Sequence, residues 1–117
     1  MSSPPKRVAQ YVYLKPEYLQ DYKKCHAAVW PEVLKQIKDC NIEDYSIFYD
    51  DAKSLLFASF KYVGSDWDSD MKAMSANPKV REWWDMTDKM QESPFPGATG
   101  SASGPWWKPV DEVFHCA

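Results

Sequence analysis

The strand-like segments of this chain carry apolar side chains on both of their faces. Residues 7 to 15 read RVAQYVYLK, with valines and leucine opposite alanine and tyrosines, and residues 55 to 63 read LLFASFKYV. An antiparallel sheet with one face in water alternates apolar with polar residues instead. Both faces of the predicted sheet must therefore be covered, and a single layer of helices covers only one of them.

The predicted elements alternate in the order strand, helix, strand, strand, helix, strand. Strands are predicted at residues 7–15, 42–49, 55–63 and 110–115, helices at about 18–41, 66–76 and 78–90, and an irregular loop rich in proline, glycine and serine at 91–109. This order is the split βαβ of ferredoxin-like folds, in which helices cover one face of a four-stranded antiparallel sheet. We therefore predict an α+β fold whose open apolar face packs on a second copy, as a dimeric α+β barrel.

The long first helix contains a proline that divides it. Tyr22, His26 and Trp30 are spaced four residues apart, which places them on one helical face. Pro31 removes a backbone donor and disfavours helical geometry at the residue before it. We predict a kink or short break directly after the turn that carries Tyr22 and His26.

The composition excludes several classes of protein. A chain of 117 residues suffices for one domain with one core, predicted here to span 1–117 with a loose tail at 1–6. The formal net charge of −3 provides no basic surface for nucleic acid, and no run approaches the ~20 apolar residues of a membrane span. Three cysteines without CxxC spacing fit a reducing compartment. The chain is predicted to be cytoplasmic.

Two Cys-His neighbours do not predict a zinc site. They are Cys25 with His26 and His115 with Cys116. Adjacent residues diverge by about 100° on a helix and point to opposite faces of a strand, so neither pair converges on one ion.

The candidate site residues each permit a structural and a functional interpretation. His26 is either a core histidine that bonds a carbonyl oxygen or an acid/base group. Tyr22 and Tyr45 are core aromatics with a hydrated hydroxyl or ligands for a polar substrate. Trp83 and Trp84 are consecutive on a helix and cannot face the same way, so at least one lines something other than the helix-to-sheet contact. Such an aromatic set suits a sugar, whose C–H face packs on rings.

Four segments give the chain a specific resemblance to the L-rhamnose mutarotases. They are YKKCHAAVWPEV at 22–33, YSIFYDDAKSLLFA at 45–58, VREWWDMTDKM at 80–90 and DEVFH at 111–115. The resemblance implies a homodimeric α+β barrel that interconverts the α and β anomers of L-rhamnose or a related 6-deoxyhexose, without cofactor or metal. It also implies that the residue matching His26 is the proton donor and that the residues matching Tyr22, Tyr45, Trp83 and Trp84 contact the sugar.

On this basis we expect His26 to donate a proton in one direction and to accept it in the other. Tyr22, one turn earlier, orients the sugar or assists the proton transfer, while Tyr45 binds a hydroxyl group. The loop at 91–109, with its Trp106-Trp107 pair, is longer than the resemblance leads one to expect. It either shapes the pocket or braces the dimer. Because a pocket of different shape would suit a different sugar, L-fucose is considered as a substrate beside L-rhamnose.

Two other functions remain possible from the sequence. The same dimeric barrel serves cofactor-free oxygenases and heme-degrading enzymes, in which a lone histidine can ligate heme iron. A non-catalytic sugar-binding module would need the aromatic residues but not the proton donor.

Overall fold

A computed structural model describes residues 6–117 and contains an antiparallel sheet with helices on one face. The strands are β1 (Lys6–Leu14), β2 (Ile42–Asp50), β3 (Leu55–Tyr62), β4 (Gln91–Glu92) and β5 (Lys108–Val110). The helices are a 3₁₀ turn (Pro16–Tyr18), α1 (Leu19–His26), α2 (Pro31–Asp39), α3 (Trp67–Ala76) and α4 (Pro78–Asp88). The strand order β2-β3-β1-β4, with β5 also paired to β1, confirms the predicted α+β class and its split βαβ arrangement.

Strand β1 lies in the middle of the sheet and is paired along both edges. Its whole length pairs with β3, from Lys6 opposite Tyr62 to Tyr13 opposite Leu55. Its other edge is divided, because β4 pairs at Tyr13 and Leu14 while β5 pairs from Ala9 to Tyr11. The two short strands therefore flank the loop at 93–107 and bring both of its ends to the same edge of the sheet.

The predicted helix break is present between α1 and α2. Trp30 has the extended conformation φ −58°, ψ 136°, and Pro31 is the first residue of α2. Proline suits this position, since its missing N–H would have no partner inside the helix. The Trp30 carbonyl oxygen accepts hydrogen bonds from the N–H groups of Val33 and Leu34, which begins the second helix. The break confirms the prediction, and α1 ends at His26.

The sheet face under the helices contains the core. Val12, Leu14 and Leu56 are almost fully buried there, and so is Val80 of α4 above that face. The opposite face carries a row of aromatic rings across three strands, because Phe48 of β2 is in register with Phe57, and Phe57 with Tyr11 of β1. The Phe48 side chain is 60% exposed. The second sheet face is therefore apolar and uncovered within one chain, as the sequence predicted.

The last predicted strand is wrong in its position. The structure has a strand at Lys108–Val110 and no regular structure at 111–117, where Val113 and Phe114 are largely exposed. Continuation of the β5 register would reach the first residue of β1 at Val113, so a strand to His115 has no partner in the described part of the chain. The predicted loop at 91–109 contains β4 at its start and the first residues of β5 at its end.

The start of β1 and the cap of α3 lie within one residue of the predicted starts of these elements. The predicted tail at 1–6 lies outside the described residues except for Lys6, which begins β1. Asp66, the first residue of the helix predicted at 66–76, is the N-cap of α3, and its side chain accepts a hydrogen bond from the Ser69 N–H. None of the helices among residues 6–117 has the length and apolar character that crossing a membrane requires.

Candidate functional site

Two adjoining cavities lie between the helices and the first half of β2. The outer cavity has a volume of about 960 Å³ and the inner one about 300 Å³. His26 lines the outer cavity, whereas Tyr45 and Trp83 line both. Trp84 lines the inner cavity, so four of the five predicted site residues border one or both of these cavities.

Tyr22 and His26 lie on one face of α1, as their spacing predicted. Their ring centroids are 4.1 Å apart, and Nδ1 of His26 lies 2.8 Å from the backbone carbonyl oxygen of Tyr22. A carbonyl oxygen can only accept, so Nδ1 must carry the hydrogen and donate it. In the neutral ring Nε2 is then the acceptor, which fixes the tautomer of a histidine that borders the cavity.

Burial favours the neutral form of His26. Desolvation lowers the pKa of its imidazole below the ordinary value, and the hydrogen bond to the Tyr22 carbonyl oxygen partly opposes this shift. Since the ordinary pKa of histidine is 6.5, the imidazole of His26 is neutral in most molecules at pH 7. His26 in its resting state is therefore prepared to accept a proton at Nε2.

Trp83 supports His26 from α4. Its ring packs edge to face on the His26 ring, with centroids 5.2 Å apart, and Trp30 packs in the same manner on Trp83 at 5.2 Å. Trp83 is buried. The helix break at Trp30 thus lets this ring pack on Trp83, which in turn contacts His26.

A β-bulge in β2 turns Tyr45 towards the cavity. The register with β3 shifts between Glu43 and Ser46, so Asp44 and Tyr45 together oppose Phe60. Asp44 adopts a positive φ of 53°, and the Tyr45 ring stacks on the Phe60 ring at 5.3 Å. Although 39% of Tyr45 is exposed, desolvation raises its pKa to about 12. Its hydroxyl is therefore a neutral donor and acceptor at physiological pH.

Trp84 lines the inner cavity and packs against the core near Met74 and Val80, away from His26. Its direction follows from its place next to Trp83 on the helix, since adjacent residues diverge by about 100°. The structure therefore places His26, Tyr45 and Trp83 around the outer cavity and Trp84 on the wall of the inner one. Tyr22 is buried and lines neither cavity, but it contacts His26 and lies near the Tyr45 hydroxyl.

The long loop contributes residues that the sequence did not assign to the site. Trp106 and Trp107 line the inner cavity, and so does Gln10 of β1. Ser101 fastens the loop to α4, because its N–H and hydroxyl donate to the two carboxylate oxygens of Asp88 at 2.8 and 2.6 Å. The loop therefore shapes the pocket, which was one of the two roles considered for it.

A sequence signal existed for one of these residues. Gln10 is the only polar residue in the Val8, Gln10, Val12, Leu14 series that faces the helices, and a polar residue there needs a reason. Gln91 is buried and bonds Tyr22, but nothing in its sequence context distinguishes it. Among residues 6–117 no group of three His, Cys, Asp or Glu side chains is placed to hold a metal ion.

Comparisons with known proteins place the chain in one family. A sequence model of the L-rhamnose mutarotase family matches residues 7–116. A relative named L-rhamnose mutarotase from Phocaeicola vulgatus is 40% identical over 111 residues, which cover 94% of this chain and 97% of that protein. A second, from Bacteroides thetaiotaomicron, is 37% identical over the same shares of both chains.

The fold of this chain also matches that of a solved structure. The crystal structure of an L-rhamnose mutarotase from Formosa agariphila superposes with a TM-score of 0.74 at 29% identity, covering 96% of this chain and 99% of that one. These matches do not favour the oxygenase, the heme-binding enzyme or the non-catalytic module.

Proposed function

This chain belongs to the L-rhamnose mutarotase family, and on that premise we propose that it interconverts the α and β anomers of L-rhamnose with His26 as the proton-carrying residue. The observation that carries the proposal is the state of His26. Its Nδ1–H is held by the Tyr22 carbonyl oxygen, its ring is neutral, and it borders a cavity large enough for a sugar.

Anomer exchange requires one net proton transfer between two oxygens on the same carbon. Nε2 of His26 takes the proton of the anomeric hydroxyl while the bond from C1 to the ring oxygen breaks, and the C1 oxygen becomes a carbonyl. The resulting imidazolium delivers this proton to the former ring oxygen. After rotation about the C1–C2 bond, the same steps in reverse close the ring on the other face of the carbonyl.

The neighbouring side chains suit the supporting roles. Burial, followed by the nearby Tyr45 hydroxyl, strongly raises the pKa of Tyr22, so its hydroxyl stays protonated and donates a hydrogen bond to the oxygen that gains negative charge. Tyr45 binds a sugar hydroxyl from the opposite wall. Trp83 and Trp84 supply the apolar surface for the C–H face of the sugar.

Saturation-transfer NMR tests the activity directly. Saturation of one anomeric proton of L-rhamnose should transfer to the other anomer faster with the purified chain than in buffer, and L-fucose serves as the competing 6-deoxy sugar. Exchange at the spontaneous rate for both sugars would refute the activity. Faster exchange for L-fucose than for L-rhamnose would refute the substrate.

We also propose that two copies pack through the open sheet face, as a homodimer. The row formed by Tyr11, Phe57 and Phe48 crosses three adjacent strands on that face, and Tyr13 and Val110 extend it. An aromatic surface of this kind is costly in water, and a second copy related by a two-fold axis covers it with the same surface.

Phe48→Asp should separate the two copies. An unpaired carboxylate buried between two apolar sheets costs several kcal/mol, which favours the single chain. Sedimentation should give about twice the chain mass of 13.6 kDa for the wild type and 13.6 kDa for the variant. Ser69→Asp, with the same charge change on the exposed side of α3, should remain dimeric. A wild type that sediments as one chain at micromolar concentration would refute the dimer.

We further propose a cytoplasmic location and a single folding unit of 117 residues. Cys25, Cys40 and Cys116 are free thiols in the structure, which suits a reducing compartment. Fractionation of the native host, with the chain found in the periplasmic or secreted fraction, would contradict the location.

A further inference from the structure

A buried chain of hydrogen bonds connects the long loop to the hydroxyl of Tyr22. The Trp106 indole Nε1 donates to Oε1 of Gln91 at 2.8 Å, and Nε2 of Gln91 donates to the Tyr22 hydroxyl oxygen at 3.1 Å. Gln91 and Tyr22 are only 4% and 5% exposed. The loop thus reaches the site through the amide of Gln91.

The direction of each bond in this chain follows from chemistry. An indole nitrogen can only donate, so the atom of Gln91 that faces Trp106 must be its oxygen. The amide nitrogen therefore faces Tyr22 and donates, and the Tyr22 oxygen accepts. Within residues 6–117, Gln91 is the one side chain that bonds this hydroxyl, so the single phenolic proton is free to point elsewhere.

We propose that Gln91, held by Trp106, is a positioning residue that directs the Tyr22 proton towards the sugar. An amide in the reverse orientation would present its oxygen to Tyr22 and capture that proton. Trp106 prevents this reversal, so Tyr22 arrives at the substrate as a donor. This role rests on the proposed mutarotase activity and deepens it.

The backbone around Trp106 is fixed in a manner that supports this role. The Ser93 hydroxyl donates to the Trp106 carbonyl oxygen at 2.6 Å, and the same hydroxyl accepts from the Phe95 N–H at 3.1 Å. Gln91 itself is held in β4, opposite Leu14 of β1. Gln91 is therefore held in the sheet, and the backbone of Trp106 is held by Ser93, the residue that directly follows β4.

The variant Gln91→Glu reverses the polarity of the bond without changing the shape of the side chain. An ionised carboxylate accepts from both Trp106 and Tyr22, so it takes the phenolic proton from the sugar. The kcat/KM for anomer exchange should fall about tenfold to a hundredfold, as for loss of one hydrogen bond to a charged group. The deficit relative to the wild type should shrink as the pH falls, because the protonated carboxyl again donates to Tyr22.

A double-mutant cycle separates this role from a structural one. In the Tyr22→Phe background there is no phenolic proton to direct, so Gln91→Glu should have almost no further effect on kcat/KM. Trp106→Phe keeps the ring but removes the indole donor, and it should show a smaller loss that is likewise absent in the Tyr22→Phe background.

Three results decide the matter. Equal losses in the wild-type and Tyr22→Phe backgrounds, or full activity of folded Gln91→Glu at every pH, would overturn the positioning role while leaving the mutarotase activity intact. Should Gln91→Glu fail to fold, the cycle with Trp106→Phe gives the same decision. A wild-type chain that exchanges no anomers overturns the proposed function, and the positioning role with it.

Discussion

Replacement of His26 by alanine is expected to reduce catalysed anomer exchange by about 10² to 10⁴, the usual contribution of a general acid/base. In the proposed mechanism, Nε2 of His26 carries the proton from the anomeric oxygen to the ring oxygen. The hydrogen bond from Nδ1 to the Tyr22 carbonyl oxygen, at 2.8 Å, sets the tautomer that this role requires. The rate is measured by saturation transfer between the two anomeric protons, with the spontaneous exchange subtracted.

The pH dependence of the exchange rate provides a control for the His26→Ala result. Only neutral His26 accepts the anomeric proton, so the wild-type rate should fall as the pH drops through its pKa, which burial lowers below 6.5. That acidic limb should be missing from the residual activity of His26→Ala. His115→Ala, which removes the exposed second histidine, should leave the rate and the limb unchanged. Normal exchange by His26→Ala would remove His26 from the mechanism.

The two interpretations of His26 that the sequence left open are compatible in this structure. A core histidine bonds a carbonyl oxygen, and this one does, through Nδ1 to Tyr22. The same bond leaves Nε2 as the acceptor on a ring that borders the cavity. The structural contact therefore supports the chemistry, because it holds the ring and selects the tautomer.

Local sequence rules predicted much of the fold and, in the candidate site, the placement of Tyr22 and His26 on one helical face. Periodicity located the three long strands, and the geometry that proline imposes on its neighbour located the break at Trp30. The four-residue spacing of Tyr22 and His26 placed them on one helical face. Periodicity and proline geometry predict these features because each of them depends on residues that are close together in the chain.

The remaining features depend on partners that are distant in sequence. Simple alternation from Ile42 would turn Tyr45 away from the helices, and only the bulge opposite Phe60 brings it back. The single local signal was Asp44, a residue type that tolerates a positive φ. Gln91 donates a hydrogen bond to Tyr22, which lies 69 residues earlier in the chain. The position of β5 depends on where its partner β1 begins. Patterns within one segment contain none of this information.

Trp83→Ala is expected to destabilise the fold by about 3–5 kcal/mol, the cost of removing a buried tryptophan ring. The ring is 7% exposed and lies between Trp30 and His26, with both centroid distances at 5.2 Å. Its loss leaves a void beside the cavity and frees His26 from the wall that holds its ring. Urea denaturation measures the free energy of unfolding, and saturation transfer measures exchange on the folded fraction.

Trp83→Phe is the matched control, since it keeps an aromatic edge against His26 and leaves a smaller void. It should lose less stability and retain most of the exchange rate. Without urea, where Trp83→Ala is fully folded, its rate of catalysed anomer exchange should still be lower than that of the wild type. The reason is that an unsupported imidazole samples orientations in which Nε2 misses the anomeric oxygen. If folded Trp83→Ala exchanges anomers at the wild-type rate, the tryptophan supports the core alone and another wall must orient His26.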